Sequence, residues 1–291
     1  MKISVFTVLF KDRSIHQTFR ICADLGVDGV ELYGREPHLS EETSAARVEE
    51  IKALSKEYGL PVIGIGTYLG RFSTDNDADC QRDVERLECF LEHAAELGCP
   101  LIRVGCGGPH AFRAHEYHFL KGAEWIRKCA DRAAMYGCKL MIEIHNGSLV
   151  ETVNDALRFL RLVDRDNVGL IHDAGNMAIT DTDFGKSSIH QLKDHLFHVH
   201  VKDVARVPSS DVAGGFQNLT RHGMEHFQQR LLGEGDVDHR PVVEGLMEIG
   251  YTGYLSIESH APLPDVDRAR ADIAALRKII EEVSAKRANA R

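Results

Sequence analysis

Four segments of this chain carry, at or near their C-terminal end, a residue able to hold a cation or move a proton. They are Met141-Ile142-Glu143-Ile144-His145, Leu170-Ile171-His172-Asp173, Phe197-His198-Val199-His200 and Leu255-Ser256-Ile257-Glu258. Side chains alternate along an extended strand, so Glu143 and His145 share one face, as do His198 and His200, and Ser256 and Glu258. A single carboxylate at a strand end is most often a helix N-cap or a surface charge, and a lone histidine in a strand is more often a satisfied core residue than a ligand. Four such residues on consecutive strand ends, with no lysine or arginine at those positions, read differently. Three carboxylates converging on one point would repel by ~4 kcal/mol per pair at ~4 Å and an effective dielectric of ~20. A divalent cation removes that cost, so Glu143, Asp173, His200 and Glu258 are read as one metal site.

Such convergence needs a scaffold whose strand ends meet. Short β-branched runs alternate with longer segments of helical period, the pattern of βαβ units and a parallel sheet. The strand candidates centre on Ile3-Thr7, Gly29-Tyr33, Pro61-Gly66, Leu101-Gly105, Leu140-Ile144, Val168-His172, Leu196-Val201 and Tyr254-Glu258. Each is apolar along nearly its whole length, as a strand covered on both faces must be. Apolar stripes mark the helices between them, with Val84, Leu87, Leu91 and Ala94 in one and Ile273, Leu276, Ile280 and Val283 in the last. Ser14 precedes the first helix as a cap, and Gly26 and Gly59 follow helical segments where a left-handed residue is needed. Eight units without a Pro/Gly/Ser-rich linker point to the α/β class and a (β/α)8 TIM barrel in a single domain, 1–291, rather than an open doubly wound sheet. The barrel places function at the C-terminal ends of its strands. Residues 202–232 are too long for a simple βα loop and contain Gly214-Gly215, which makes them a lid insertion, with a disordered insertion as the bland alternative.

Composition narrows the function. With 291 residues, 43% hydrophobic and 27% charged, the chain can bury a substantial core. The 44 acidic against 35 basic residues give a formal charge of −9, which argues against a nucleic-acid partner. No apolar run approaches the ~20 residues of a membrane span, and Ile3 to Phe10 is too short for a signal segment, so neither a membrane partner nor export is expected. Seven scattered cysteines, none spaced C-x-x-C, fit reduced thiols in a cytoplasmic protein.

The order and spacing of several fragments resemble the xylose isomerase-like TIM-barrel superfamily of sugar isomerases and epimerases, which also includes endonuclease IV. The telling pieces are Glu143-Ile144-His145-Asn146, Asp173-Ala174-Gly175-Asn176, His198-Val199-His200-Val201-Lys202-Asp203 and Gly233-Glu234-Gly235-Asp236-Val237-Asp238, followed by Gly250 to Glu258. The match runs from Gly29-Val30-Glu31-Leu32 to Ile257-Glu258. Likeness to the ketose 3-epimerases implies that Glu143, Asp173, His200 and Glu258 bind one metal and that Glu143 and Glu258 also work as acid and base. His198 then becomes a supporting or core residue, and Arg206 takes the place of a substrate-contacting arginine. Two departures matter: Asn176 stands where many relatives carry a histidine, and Gly64-Ile65-Gly66-Thr67-Tyr68 lacks the strand-three histidine of endonuclease IV.

The expected cofactor is one divalent ion, Mn²⁺, Mg²⁺, Co²⁺ or Zn²⁺, acting as a Lewis acid. The expected reaction is isomerisation or epimerisation of a sugar or sugar phosphate, with proton abstraction α to a carbonyl through a metal-stabilised enediolate. His145, Asn176, Lys202, Arg206 and Glu31 are the candidate substrate contacts; against that, Lys202 could pair with Asp203 on the surface and Glu31 could be a structural hydrogen-bonder. The alternative is a dehydratase of a keto-polyol, of the inosose or 3-dehydroshikimate type; a non-catalytic binding protein and an endonuclease IV-like nuclease rank lower. The partner is a small sugar or keto-polyol, and a homo-oligomer is compatible with the sequence. Gly105-Cys106-Gly107-Gly108 lacks full dinucleotide spacing and reads as a plain βα turn.

Overall fold

The computed structural model describes residues 1–289. Eight strands, β1 (Lys2–Phe6), β2 (Gly29–Tyr33), β3 (Val62–Gly66), β4 (Leu101–Arg103), β5 (Lys139–Glu143), β6 (Val168–Asp173), β7 (Leu196–Val201) and, after three strands outside the barrel, β11 (Tyr254–Ile257), close into a parallel barrel. Its order is β1-β11-β7-β6-β5-β4-β3-β2. Every residue of β3 and β6 is buried, as strands packed on both faces require. Helices α1 (Ile15–Asp24), α2 (Ala45–Tyr58), α3 (Asp77–Leu97), α4 (Glu116–Met135), α5 (Val153–Val163), α6 (Ala174–Ile179), α7 (Lys186–Leu192), α8 (Arg240–Glu248) and α9 (Asp265–Asn289) complete the βα units.

The local signals account for the boundaries. Ser14 and Gln17 form a reciprocal capping box at the start of α1, and Gly59 ends α2 at φ 64°. Val84, Leu87, Leu91 and Ala94 of α3 all face the core. In α9 the buried stripe runs through Ile273, Leu276, Ile279 and Val283, so Ile279 takes the core position expected of Ile280. The first strand stops at Phe6 because Thr7–Phe10 turn into a 3₁₀ helix.

Residues 202–232 are neither a plain loop nor disordered. They hold β8 (Asp203–Arg206), β9 (Gly215–Thr220) and β10 (Gly223–Arg230), an antiparallel sheet of order β8-β10-β9. Phe216 and Phe227 stack across it at 5.6 Å. The following Gly-Glu-Gly-Asp-Val-Asp segment wraps the Asp203 carboxylate, which accepts hydrogen bonds from the N–H groups of Gly233 (2.8 Å), Gly235 (3.1 Å) and Val237 (3.1 Å). A Cβ on Gly235 would lie 2.2 Å from Asp203 Oδ1, so only glycine fits. Asp203 is thus a buried loop organiser and not a surface partner of Lys202.

Two histidines outside the clustered quartet make stability sensitive to acid. His38 is buried with Nδ1 2.9 Å from Thr7 Oγ1, and His239 is buried with Nδ1 3.1 Å from the Val237 carbonyl. Burial pushes each imidazole down to about 4. The unfolded chain takes up these protons near 6.5, so their stabilisation is complete above that pH and is lost as the pH falls towards about 4. At about pH 5 the loss should reach roughly 2 kcal/mol per histidine. Urea midpoints at about pH 7.5 and about pH 5 test this: His239→Gln should show a smaller drop than the parent, and an equal drop would refute the assignment.

Candidate metal centre

Barrel closure makes β5, β6, β7 and β11 successive neighbours, and the four sequence candidates stand at or beside their C-terminal ends. Asp173 pairs with His200 across β6 and β7, His200 pairs with Ser256 across β7 and β11, and Glu143, which ends β5, is registered with Ile171. Glu258 follows β11 directly, its N–H donating to the Val201 carbonyl at 3.0 Å. The donor atoms of Glu143, Asp173, His200 and Glu258 all lie within 4.8 Å of one another, and all four residues are buried.

Each donor is held from behind. Asp173 is also the N-cap of α6, its Oδ1 accepting from the Asn176 N–H at 2.9 Å, so the cap uses one oxygen of the carboxylate while the other, Oδ2, faces His200. Glu143 Oε1 accepts from Asn176 Nδ2 at 2.8 Å, and its Oε2 accepts from Arg103 Nη1 at 2.7 Å. His200 Nε2 lies 3.0 Å from Glu31 Oε2, while its ring stacks on Phe6 at 5.6 Å. Phe6 can sit there because β3 offers Gly66, where a Cβ would lie 2.6 Å from the Phe6 ring. His198 Nε2 shares the same Glu31 oxygen at 3.1 Å, which leaves it behind His200 as a brace.

With Nε2 bonded to Glu31, the Nδ1 of His200 faces Glu143 Oε1 (3.5 Å), Glu258 Oε2 (3.5 Å) and Asp173 Oδ2 (3.9 Å). His200 Nδ1 is buried and makes no hydrogen bond, and the buried Asp173 Oδ2 has only the Lys202 ammonium beside it. Buried polar atoms without partners are uncommon and call for a ligand. Lys202 Nζ lies 2.8 Å from Asp173 Oδ2 and 2.7 Å from Glu258 Oε2. The electrostatics carry the same message. Burial pushes Asp173 up to about 7, against the pull of Lys202 and with added repulsion from Glu143 and Glu258. Burial works against charge on His200 too, yet Glu31 and the other carboxylates hold its pKa well above the usual imidazole range. Burial, the largest influence on Glu143, likewise opposes its ionisation, but Arg103 and His200 together keep that carboxyl well below the usual range. The pocket draws positive charge wherever it can find it. Three carboxylates and one imidazole, with the unpartnered His200 Nδ1 aimed at the oxygens of the other three, fit a divalent ion.

The brace behind His200 has a measurable consequence. Outer partners of ligating histidines typically contribute 10–100-fold to metal affinity. Glu31→Gln should therefore weaken binding of Mn²⁺ by about 10–100-fold with little change in the far-UV spectrum. Unchanged affinity would show that Glu31 does not orient His200.

Above the quartet lies a cavity of about 710 Å³, bounded by the loops after β3, β4 and β5 and by Glu258 and His260. Of the four clustered residues only Glu143 and Glu258 line it. His145 is exposed on the cavity wall, as the strand alternation suggested. The other expected contacts sit elsewhere: Asn176 and Glu31 are buried behind the clustered quartet, Lys202 lies among its carboxylates, and Arg206 points away. Arg206 pairs with Asp181 (3.1 Å) and Glu225 (2.9 Å) beside a separate hollow of about 350 Å³. Arg103 was missed in the sequence because it lies inside an apolar run; a charge within a strand covered on both faces was the available signal. His260 and Tyr68, also on the cavity wall, carried no such signal.

A family description, xylose isomerase-like TIM barrel, matches residues 19–279. The chain belongs to this family. Among relatives, the 3-dehydro-D-guloside 4-epimerase of Escherichia coli (strain K12) is 26% identical over 288 residues, covering 94% of this chain and 97% of that protein. The inosose dehydratase of Lactiplantibacillus plantarum is 31% identical over 145 residues, 47% of each chain. Among solved structures of this xylose isomerase-like fold, the IOLI protein with a bound zinc atom superposes with a TM-score of 0.78 at 16% identity, covering 97% of this chain and 99% of that one. The relatives of this chain thus include an epimerase and a dehydratase.

Proposed function

We propose that the chain is a divalent-metal-dependent isomerase or epimerase of a keto sugar or related keto-polyol, working by proton transfer at the carbon α to the carbonyl. The observation that carries this reading is the division of labour among the clustered residues. Asp173 and His200 are sealed behind the site, whereas Glu143 and Glu258 belong to the cluster and also face the cavity. A bound Mn²⁺, Mg²⁺, Co²⁺ or Zn²⁺ would supply Lewis-acid polarisation of the substrate oxygens.

The chain's own groups supply the rest. Glu258 is held through Oε2 by Lys202, and its Oε1 lies towards His260 at 3.8 Å, on the cavity side. That oxygen is placed to take or return a substrate proton. Glu143, held by Arg103 and Asn176, presents the second carboxylate from the opposite side of the barrel mouth. The buried Lys202 ammonium stands beside both Asp173 and Glu258, where it offsets their charge and fixes the orientation of Glu258.

Solvent-deuterium incorporation into a panel of ketoses, ketose phosphates, 3-keto sugars and inososes tests the proposal. Exchange at the α carbon, accompanied by an epimer or isomer, is the expected result. No exchange in any keto-polyol by the metal-loaded protein would refute it. Dehydration is the second reading, favoured by likeness to the inosose dehydratase. It starts with the same proton abstraction, and an unsaturated product in place of an epimer distinguishes it.

A further inference from the structure

The cavity is larger than the reacting part of a keto sugar requires. At about 710 Å³ it lies in the upper part of the ~300–1,000 Å³ range of sites that enclose drug-sized ligands, whereas the quartet needs only a carbonyl and its neighbouring hydroxyl. A second hollow of about 440 Å³ lies between the loops after β2 and β3, lined by Arg35, Glu36, Ser40, Glu42 and Arg86 among others. Tyr68 and Leu69 line both spaces and form the divide between them.

Leu69 is buried, but Tyr68 is 43% exposed, and its ring is held from several directions. Tyr33 meets it edge-on at 5.5 Å, Arg35 lies over it at 4.1 Å and Arg103 at 4.9 Å. Arg103 ties the same ring to the metal-site side, through its bond to Glu143. A ring fixed in this way offers contact area at little cost in conformational entropy. The second hollow mixes cationic, anionic and hydroxyl side chains, a lining suited to the hydroxyls of a polar unit and ill suited to a purely apolar tail.

We propose that the substrate is a keto sugar joined to a second polar unit, a glycoside or comparable conjugate, whose keto ring lies over the quartet while the second unit crosses Tyr68 into the hollow beside Arg35. This rests on reading the quartet as a keto-polyol site.

Calorimetric titration of the metal-loaded protein with 3-keto-glucose, and with disaccharides carrying the same 3-keto-glucosyl unit, tests the inference. At least one disaccharide should bind about tenfold or more tightly than the free sugar, a difference of about 1.4 kcal/mol. In Arg35→Ala and Tyr68→Ala that ratio should fall towards one. A ratio near one in the parent protein, or a preference retained by both variants, overturns the inference. Deuterium exchange measured beside the titration separates the two readings. Disaccharide preference without exchange sinks the proposed chemistry and sustains the second-unit site; exchange with equal kcat/KM for both sugars does the reverse.

Discussion

Glu258→Gln is expected to lower conversion of a keto-polyol substrate by about 10²–10⁴-fold, the usual worth of a positioned acid or base. Glu143→Gln should do the same. Glutamine keeps the shape of the side chain and one carbonyl oxygen for the metal, so the loss reports proton transfer more than site collapse. Both variants matter because an epimerisation must remove a proton on one face and return it on the other, and these two carboxylates alone among the clustered four reach the cavity. Full turnover in both variants would show that the acid and base lie elsewhere, and His145 and His260 on the same wall would be the next groups to examine.

Arg103→Met should have the largest effect on stability. The guanidinium is nearly enclosed, donates to Glu143 at 2.7 Å and to the Thr67 carbonyl at 3.3 Å, and lies over the rings of Tyr68 and Phe6. Removing it leaves the buried Glu143 carboxylate beside Glu258 with its strongest partner gone, a change that typically costs about 3–5 kcal/mol. Urea denaturation in the presence of a chelator measures the apo protein directly. The double variant Arg103→Met/Glu143→Gln should recover part of that loss, because the unpaired charge disappears with its partner. If the single variant were as stable as the parent, the pair would not organise the site.

The barrel and the quartet were legible in the sequence for one physical reason. A parallel strand buried on both faces holds few polar residues, so those it does hold stand out, as Glu143, Asp173 and His200 do at or near their strand ends. The same rule was underused at β4, where Arg103 is as anomalous as any of them. The small sheet over 203–230 was not legible as strands. Its buried residues are the short run Asp203, Val204 and Ala205 in β8 and, in the longer strands, only Thr220 and Phe227, and Gln217, Asn218, Glu225 and Gln228 around them give no two-residue alternation strong enough to read. Nor could spacing tell which side of a ligand a polar residue would occupy. Asn176 and Glu31 were expected to meet substrate; Asn176 braces Glu143 and Glu31 braces His200. Arg206, placed by likeness alone, is turned by Asp181 and Glu225 towards a different hollow.

Metal analysis of the natively purified chain, followed by titration of the stripped protein with Mn²⁺, tests the central claim most directly. One divalent ion per chain is expected, removable by a chelator, restored on titration and absent from an Asp173→Asn/His200→Ala variant that keeps its fold. A folded parent chain that carries no divalent ion and takes none up, or a double variant that binds as the parent does, would contradict the account.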